Sequence, residues 1–136
     1  MTDAFEQMET QSPNRVVMFQ GMEGYDDIRP GYTKVGELTD GEFTDFEIET
    51  PEYGMDFEYD DLKINPDDIA GVSATLTEEI IDGTRSDHFA DAVEVNAAFR
   101  IYARGDADSV DTALDMATAS IDSGAASDVL HSLQTF

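Results

Sequence analysis

Two adjacent carboxylates, Asp26 and Asp27, are the side chains in this sequence best suited to chemistry. They close a glycine-punctuated loop, Gln20-Gly21-Met22-Glu23-Gly24-Tyr25-Asp26-Asp27, which runs directly out of the apolar stretch Val16-Val17-Met18-Phe19. Magnesium takes one or two protein carboxylates and completes its shell with water and substrate phosphates, so two acids on a loop after a strand are sufficient ligands. Spacing alone also allows a plainer reading, a solvated pair in a chain rich in acids. Gly21 and Gly24 would let the backbone approach a phosphate, or would simply supply a turn that needs positive φ. Arg29 and Lys34 flank the loop, and a phosphate-bearing ligand would welcome either. Met22 and Tyr25 read as packing residues. His88 and His131 are far apart, have no partner motif, and read as structural or surface groups. No Ser/His/Asp arrangement or metal-ligand histidine spacing occurs, and the absence of cysteine removes disulfides and thiolate chemistry.

The elements that must position the loop follow from periodicity. Residues 1–13 read as a polar lead-in with a candidate short helix from Asp3 to Glu9, ended by Ser12-Pro13-Asn14. The run Val16–Phe19 has the continuous apolar character of a strand buried on both faces. Pro30-Gly31 extends the loop, and strands follow over Thr33–Leu38 and Phe43–Glu49. Asp40-Gly41 between them is a strong two-residue hairpin signal. In the second of these strands Thr44, Phe46 and Ile48 share one face. Residues 51–64 form an irregular, aromatic-rich connection.

From residue 65 the period becomes helical. Asn65 is placed to cap a helix with Pro66 at its first position and Ile69, Val72, Leu76 and Ile80 as its apolar stripe, stopped by Gly83. A second helix runs from Ser86 or Asp87 to Arg104, with Ala92, Val95, Phe99 and Tyr102 on one face. A third, capped by Asp108 or Ser109, turns Val110, Ala113, Leu114, Ala117 and Ile121 inward and ends at Gly124. A fourth spans Ser127 to Gln134 and carries Val129, Leu130 and Leu133. Strands first and helices afterwards predict an α/β (α+β) domain: a small sheet with a β-hairpin and three to four helices packed on it.

Composition narrows the function classes. The 136 residues suffice for one domain, and 31 acids against 7 bases give a net charge of −24. Acids are interleaved throughout, not gathered in a tail, which suits a halophilic surface where molar salt cuts the screening length to about 3 Å. A specific acidic binding face is the alternative. Nucleic-acid binding is disfavoured, because phosphate recognition wants clustered Lys and Arg. No apolar run approaches the roughly 20 residues of a spanning helix. Met1 to Gln11 is too acidic for a secretory signal. The expectation is a cytoplasmic protein with no membrane association.

Several of these segments resemble one family. The stretch Asp91-Ala92-Val93-Glu94-Val95-Asn96-Ala97-Ala98, followed by Ile101-Tyr102-Ala103 and Gly105, is similar to the D-A-V-x-x-N-A-A…L-Y-x-x-G block of the anthranilate phosphoribosyltransferases. Ala107-Asp108-Ser109, Ala113-Leu114 and Ile121-Asp122-Ser123-Gly124-Ala125-Ala126 continue the pattern in order. Val16 to Asp27 resembles the family's V-V-H-G-x-D-G-x-D-E loop. Residues 14–136 resemble its C-terminal α/β region, of the phosphoribosyltransferase and nucleoside phosphorylase-like type, in a haloarchaeal-type version. The resemblance implies that Asp26 and Asp27 are ligands for a magnesium ion carried by phosphoribosyl pyrophosphate. It implies transfer of the phosphoribosyl group to anthranilate in tryptophan biosynthesis.

The departures from that pattern bear on activity. Gln20 stands where the family has histidine, and Asp26-Asp27 where it has Asp-Glu. The family's G-T-G-G-D pyrophosphate loop and Lys-His-Gly segment lie in an N-terminal half that this sequence does not contain. The resemblance therefore implies a chain inactive alone, completed by a separate N-terminal half, and no dimer through the family's N-terminal helices. A non-catalytic paralogue or remnant, acting as a binding or structural module, is the other reading. Asn96, which matches a family asparagine, reads as a buried polar residue that bridges backbone.

Overall fold

The computed structural model describes residues 15–21, 24 and 27–136. The expected helix Asp3–Glu9, the breaker at Ser12–Asn14, the packing of Met22 and Tyr25, and Asp26 itself lie outside the described residues. Three strands, β1 (Arg15–Gln20), β2 (Tyr32–Thr39) and β3 (Glu42–Glu49), form an antiparallel sheet in the order β1-β2-β3. Four helices follow: α1 (Ile69–Ile81), α2 (His88–Arg104), α3 (Val110–Asp122) and α4 (Ala125–Gln134). This is the expected small sheet and hairpin with four helices.

The hairpin turn obeys its chemistry. Asp40 and Gly41 both hold positive φ, 51° and 82°, which is what the tight turn matching strand twist requires. Its register sets Thr33, Val35 and Glu37 of β2 opposite Ile48, Phe46 and Thr44 of β3. Arg15, Val17 and Phe19 of β1 continue the same face. Thr44, Phe46 and Ile48 do share a face, but only Ile48 is buried, with Phe46 still 39% exposed.

That face packs on α2. Ile28, Val35, Ile48, Met55, Val95 and Phe99 make the main core cluster. The Phe99 ring meets Phe19 edge-on at 5.4 Å and Tyr53 at 5.8 Å, a geometry that places the positive ring edge against the negative face. A second cluster of small residues, Ala98, Ala107 and Ala113, sits where α2 and α3 pack together. A polar tie joins sheet and helix at the other end. The Tyr102 hydroxyl lies 3.0 Å from both Glu37 carboxylate oxygens, and Thr39 Oγ1 donates to Oε1 at 2.8 Å. Arg15 lies 3.2 Å from Glu37, donates to the Tyr102 carbonyl at 2.7 Å, and stacks over the Tyr102 ring at 4.2 Å.

Capping residues start and stop the helices largely where expected. The Asp87 and Ser109 side chains accept from Phe89 N–H and Thr112 N–H at the starts of α2 and α3. Gly105, at φ 88°, ends α2 in the left-handed conformation. Two starts differ. Asn65 caps only the short 3-10 turn Pro66–Asp68, and Asp68 then caps α1 by accepting from Gly71 N–H. An aspartate that bonds forward to the backbone competes with helix continuation, so the expected single helix is divided. In α4, Gly124 at φ 81° reverses the chain at once, and the helix begins at Ala125.

One strand departs from expectation. The run Val16–Phe19 belongs to β1, which pairs only with β2 among the described strands and is half-buried from Arg15 to Phe19. It is an edge strand here, not one buried on both faces.

Candidate functional site

The loop between β1 and β2 is held at two points by side chains far away in sequence. Ile28, 3% exposed, is anchored in the core. Its N–H donates to Asn96 Oδ1 at 3.1 Å, and its carbonyl accepts from Asn96 Nδ2 at 2.9 Å. The same Nδ2 donates to the Ala92 carbonyl one turn earlier on α2, which orients the amide. At the far end Thr50, fully buried, takes over. Its Oγ1 accepts from Gly31 N–H at 2.9 Å and lies within bonding distance of the Gly31 and Met55 carbonyls. Gly31 holds φ 111°, which a side chain would resist. The fixed segment is therefore the one that follows the two acids.

Asp27 emerges from this clamp half-exposed, its side chain at 49%. Arg29 Nε lies 3.8 Å from Asp27 Oδ2, and its guanidinium stacks over the Tyr59 ring at 4.7 Å. These residues line a cleft of about 440 Å³ together with Leu62, Asn96 and Arg100. Two of the seven basic residues of the chain thus border the cleft that holds Asp27. The cleft sets guanidinium groups beside one half-exposed carboxylate, an arrangement that suits an anion.

The expected site residues are only partly brought together. Asp27 and Arg29 meet. Asp26 lies outside the described residues, so the pair as a ligand set is not placed. Among the described residues no group of three or more His, Cys, Asp or Glu gathers as a metal cage. One carboxylate at a cleft mouth fits magnesium only in the form that keeps water and substrate phosphate in its shell. Lys34 is committed elsewhere, 3.9 Å from Glu47, its cross-strand neighbour. Gly24 holds φ 81° and its N–H donates to Gly21 O at 3.0 Å, which is a tight turn. Gln20 ends β1 opposite Lys34, exposed.

The histidines behave as structural or surface groups. His88 opens α2 with its ring against Phe57 at 5.6 Å and Phe89 at 4.5 Å, and His131 is exposed on α4. Asn96 bridges backbone as expected, though half-buried. Tyr59, Thr50 and Arg100 escaped the sequence reading. Thr50 and Tyr59 meet the loop from remote segments and Arg100 borders the cleft beside it, and no local spacing signals that.

Comparison with known proteins agrees with this architecture. The model of a glycosyl transferase family, a/b domain, matches residues 1–127. Among curated proteins, the anthranilate phosphoribosyltransferase of Moorella thermoacetica is 32% identical over 124 residues, covering 88% of this chain and 34% of that protein. The Rubrobacter xylanophilus enzyme of the same name is 28% identical, covering 89% of this chain and 35% of its own length. The chain spans about a third of the curated relatives it matches. Among solved structures, the Thermus thermophilus anthranilate phosphoribosyltransferase superposes with a TM-score of 0.69 at 24% identity, over 86% of this chain and 34% of that one. The Saccharomyces cerevisiae enzyme in complex with PRPP and Mg gives 0.67 at 23%, over 88% and 34%. These last two speak for the fold. With the family model covering nearly the whole sequence, the chain belongs to this glycosyl transferase family, within its a/b domain.

Proposed function

We propose that this chain is the C-terminal part of an anthranilate phosphoribosyltransferase-like assembly, contributing the magnesium-binding loop and the sheet that carries it. Asp27, with Asp26 beside it in sequence, would hold Mg²⁺ borne by phosphoribosyl pyrophosphate. The ion, when bound, supplies charge neutralisation on the leaving pyrophosphate. The chain's own residues do the positioning. Asn96 fixes Ile28, and so the point at which Asp27 leaves the core. Arg29 balances Asp27 while no phosphate is present, and both Arg29 and Arg100 border the cleft where an anion would sit. In the complete assembly the amine of anthranilate would displace pyrophosphate at C1 of the ribose, with the rest of the fold holding both substrates.

The observation that carries this reading is the Asn96 clamp, which rigidifies the loop segment directly after the two acids. The names of the curated relatives supply the reaction class, and the coverage of about a third of their length supports inactivity of the chain alone. A second reading, a non-catalytic binding or structural module, is favoured by Gln20 where the family has histidine.

Calorimetric titration of phosphoribosyl pyrophosphate with Mg²⁺ into the chain assembled with the remainder of the fold tests the proposal. Asp26→Asn with Asp27→Asn should weaken donor binding at least tenfold while the fold stays intact. Equal affinity in both proteins would remove the two acids from the site.

A further inference from the structure

Ile28, whose N–H and carbonyl are both held by Asn96, stands between Asp27 and Arg29 in sequence. The clamp therefore fixes the backbone from which both side chains leave. Arg29 is held a second time, by its stack on Tyr59 at 4.7 Å, and its side chain is 16% exposed against 49% for Asp27. In a chain of 31 acids and 7 bases, one of the seven is thus set, largely buried, beside the carboxylate at the cleft mouth. Stability alone gives little reason for that placement. Nε and Oδ2 are 3.8 Å apart and the acid is half-exposed, and pairs of this kind contribute little to folding.

The pair matters more for what can share the carboxylate. A close guanidinium lowers a carboxylate's proton affinity about tenfold or more. The same field acts on any cation that approaches Asp27, and doubly on a divalent one. The clamp and the Tyr59 stack oppose withdrawal of that guanidinium. Arg100 borders the same cleft, its Nη1 donating to the Asn96 carbonyl at 2.9 Å, so a second positive group lines the approach. A phosphate on the ion reverses the sign. The complex of a divalent ion with pyrophosphate is anionic, and guanidinium groups bind phosphate oxygens through charge-assisted hydrogen bonds. Molar salt leaves this discrimination in place, because screening quenches distant exposed charges far more than partly buried groups in contact.

We infer that Arg29 makes the cleft selective for a divalent ion already carrying its phosphate, and turns the bare ion away. The inference rests on the magnesium reading of Asp27 above and adds how that ion is admitted. Asp27 attracts the cation, Arg29 offsets that attraction, and the phosphate restores it by engaging Arg29 itself. Binding of metal and binding of phosphate are thereby coupled through one ion pair, with no bond made or broken. Arg29 is a specificity-determining residue in this scheme, and its charge is the property that matters.

Residue-resolved paramagnetic broadening on the full chain in molar KCl tests this. Mn²⁺ stands in for Mg²⁺ as the probe, since both take carboxylate, water and phosphate oxygens, and inorganic pyrophosphate serves as the anion. The Ile28 amide reports on Asp27. The Gly41 amide, between Asp40 and Glu42 on the hairpin, reports unspecific attraction to acids, and broadening at Ile28 is read relative to it. In the parent chain, Mn²⁺ with pyrophosphate should broaden Ile28 at a lower concentration than Mn²⁺ alone. Arg29→Gln should let bare Mn²⁺ act at a roughly tenfold lower concentration than in the parent, and should raise the concentration needed of the pyrophosphate complex. A merely structural arginine does not produce opposite shifts for the two probes. Arg29→Lys keeps the charge and should resemble the parent toward bare Mn²⁺. Bare Mn²⁺ acting equally on the parent and Arg29→Gln, both probes weakened alike in Arg29→Gln, or an Arg29→Lys that admits bare Mn²⁺ as Arg29→Gln does would each overturn the selectivity and leave the magnesium reading standing. Ile28 broadened no more than Gly41 by either probe in all three proteins would remove that reading, and the inference with it.

Discussion

Asn96 binds Ile28 through both of that residue's backbone polar groups, at 3.1 and 2.9 Å, across a separation of 68 residues. An asparagine is the smallest side chain with a donor and an acceptor side by side, so it can replace a missing β-ladder partner for one residue. The loop after β1 is thereby treated as part of the core.

Asn96→Ala should leave the Ile28 N–H and C=O unpaired beside a side chain that is 3% exposed. The expected cost is about 1–3 kcal/mol, the usual range for an orphaned buried polar group. Asn96→Asp keeps the acceptor but turns a carboxylate oxygen toward the Ile28 carbonyl, so it should not rescue. Chemical denaturation in molar KCl, with exchange followed at the Ile28 amide, checks both. Unchanged Ile28 protection in Asn96→Ala would refute the clamp.

The Tyr102–Glu37 contact predicts an alkaline limit. Burial first, then the hydrogen bond and charge of Glu37, push the Tyr102 phenol above its ordinary value, with Arg15 opposing. A group whose folded pKa is raised stabilises fully below its unfolded pKa, about 10 for tyrosine. That contribution is lost as pH rises through the folded value. Tyr102→Phe should cost about 1–3 kcal/mol at neutral pH, since a nearly buried carboxylate loses a donor. It should also flatten the fall in stability above about pH 10. Some fall remains, because burial and the Asp111 and Glu52 charges raise Tyr53 as well. Identical alkaline profiles in the two proteins would exclude the coupling.

At the start of α2 the sign reverses. Burial pushes the Asp87 carboxyl up. The Arg85 hydrogen bond and charge, with the Phe89 and Ala90 N–H groups, outweigh it and hold the carboxyl below its ordinary range. Its contribution is present above the unfolded value, about 3.9, and is lost as pH falls through the folded one. Asp87→Ala should cost about 0.5–2 kcal/mol, the range for an N-cap. Asp87→Asn keeps an acceptor for Phe89 N–H and should cost less, while losing the acid dependence. Stability measured from pH 2 to 7 distinguishes the three proteins, and an alanine variant as stable as the parent would argue against the cap.

Salt should govern the whole fold. With −24 spread over the chain, self-repulsion opposes compaction in dilute buffer, and molar KCl screens it to about 3 Å. Circular dichroism should show structure lost at low salt and regained in KCl. Equal spectra in the two conditions would contradict a salt-adapted surface.

What the sequence determined by itself was whatever a few neighbouring residues decide. Asp40-Gly41 specified its turn because both positions need positive φ, and Asp87, Ser109 and Gly105 bounded α2 and α3 because caps act within one turn. The adjacency of Asp26 and Asp27 was likewise legible, and so was the order of strands and helices. Tertiary structure decided everything that depends on which surface meets which. No spacing could show that Asn96 would grip Ile28, that Tyr59 would lie under Arg29, or that Glu37 would meet Tyr102 across 65 residues. The same holds for β1. Its apolar run specifies a strand, but the number of its neighbours is set by the chain that packs beside it, and among the described strands that is β2 alone. Periodicity encodes which side of an element avoids water, whereas its partner is chosen only when the elements collapse together.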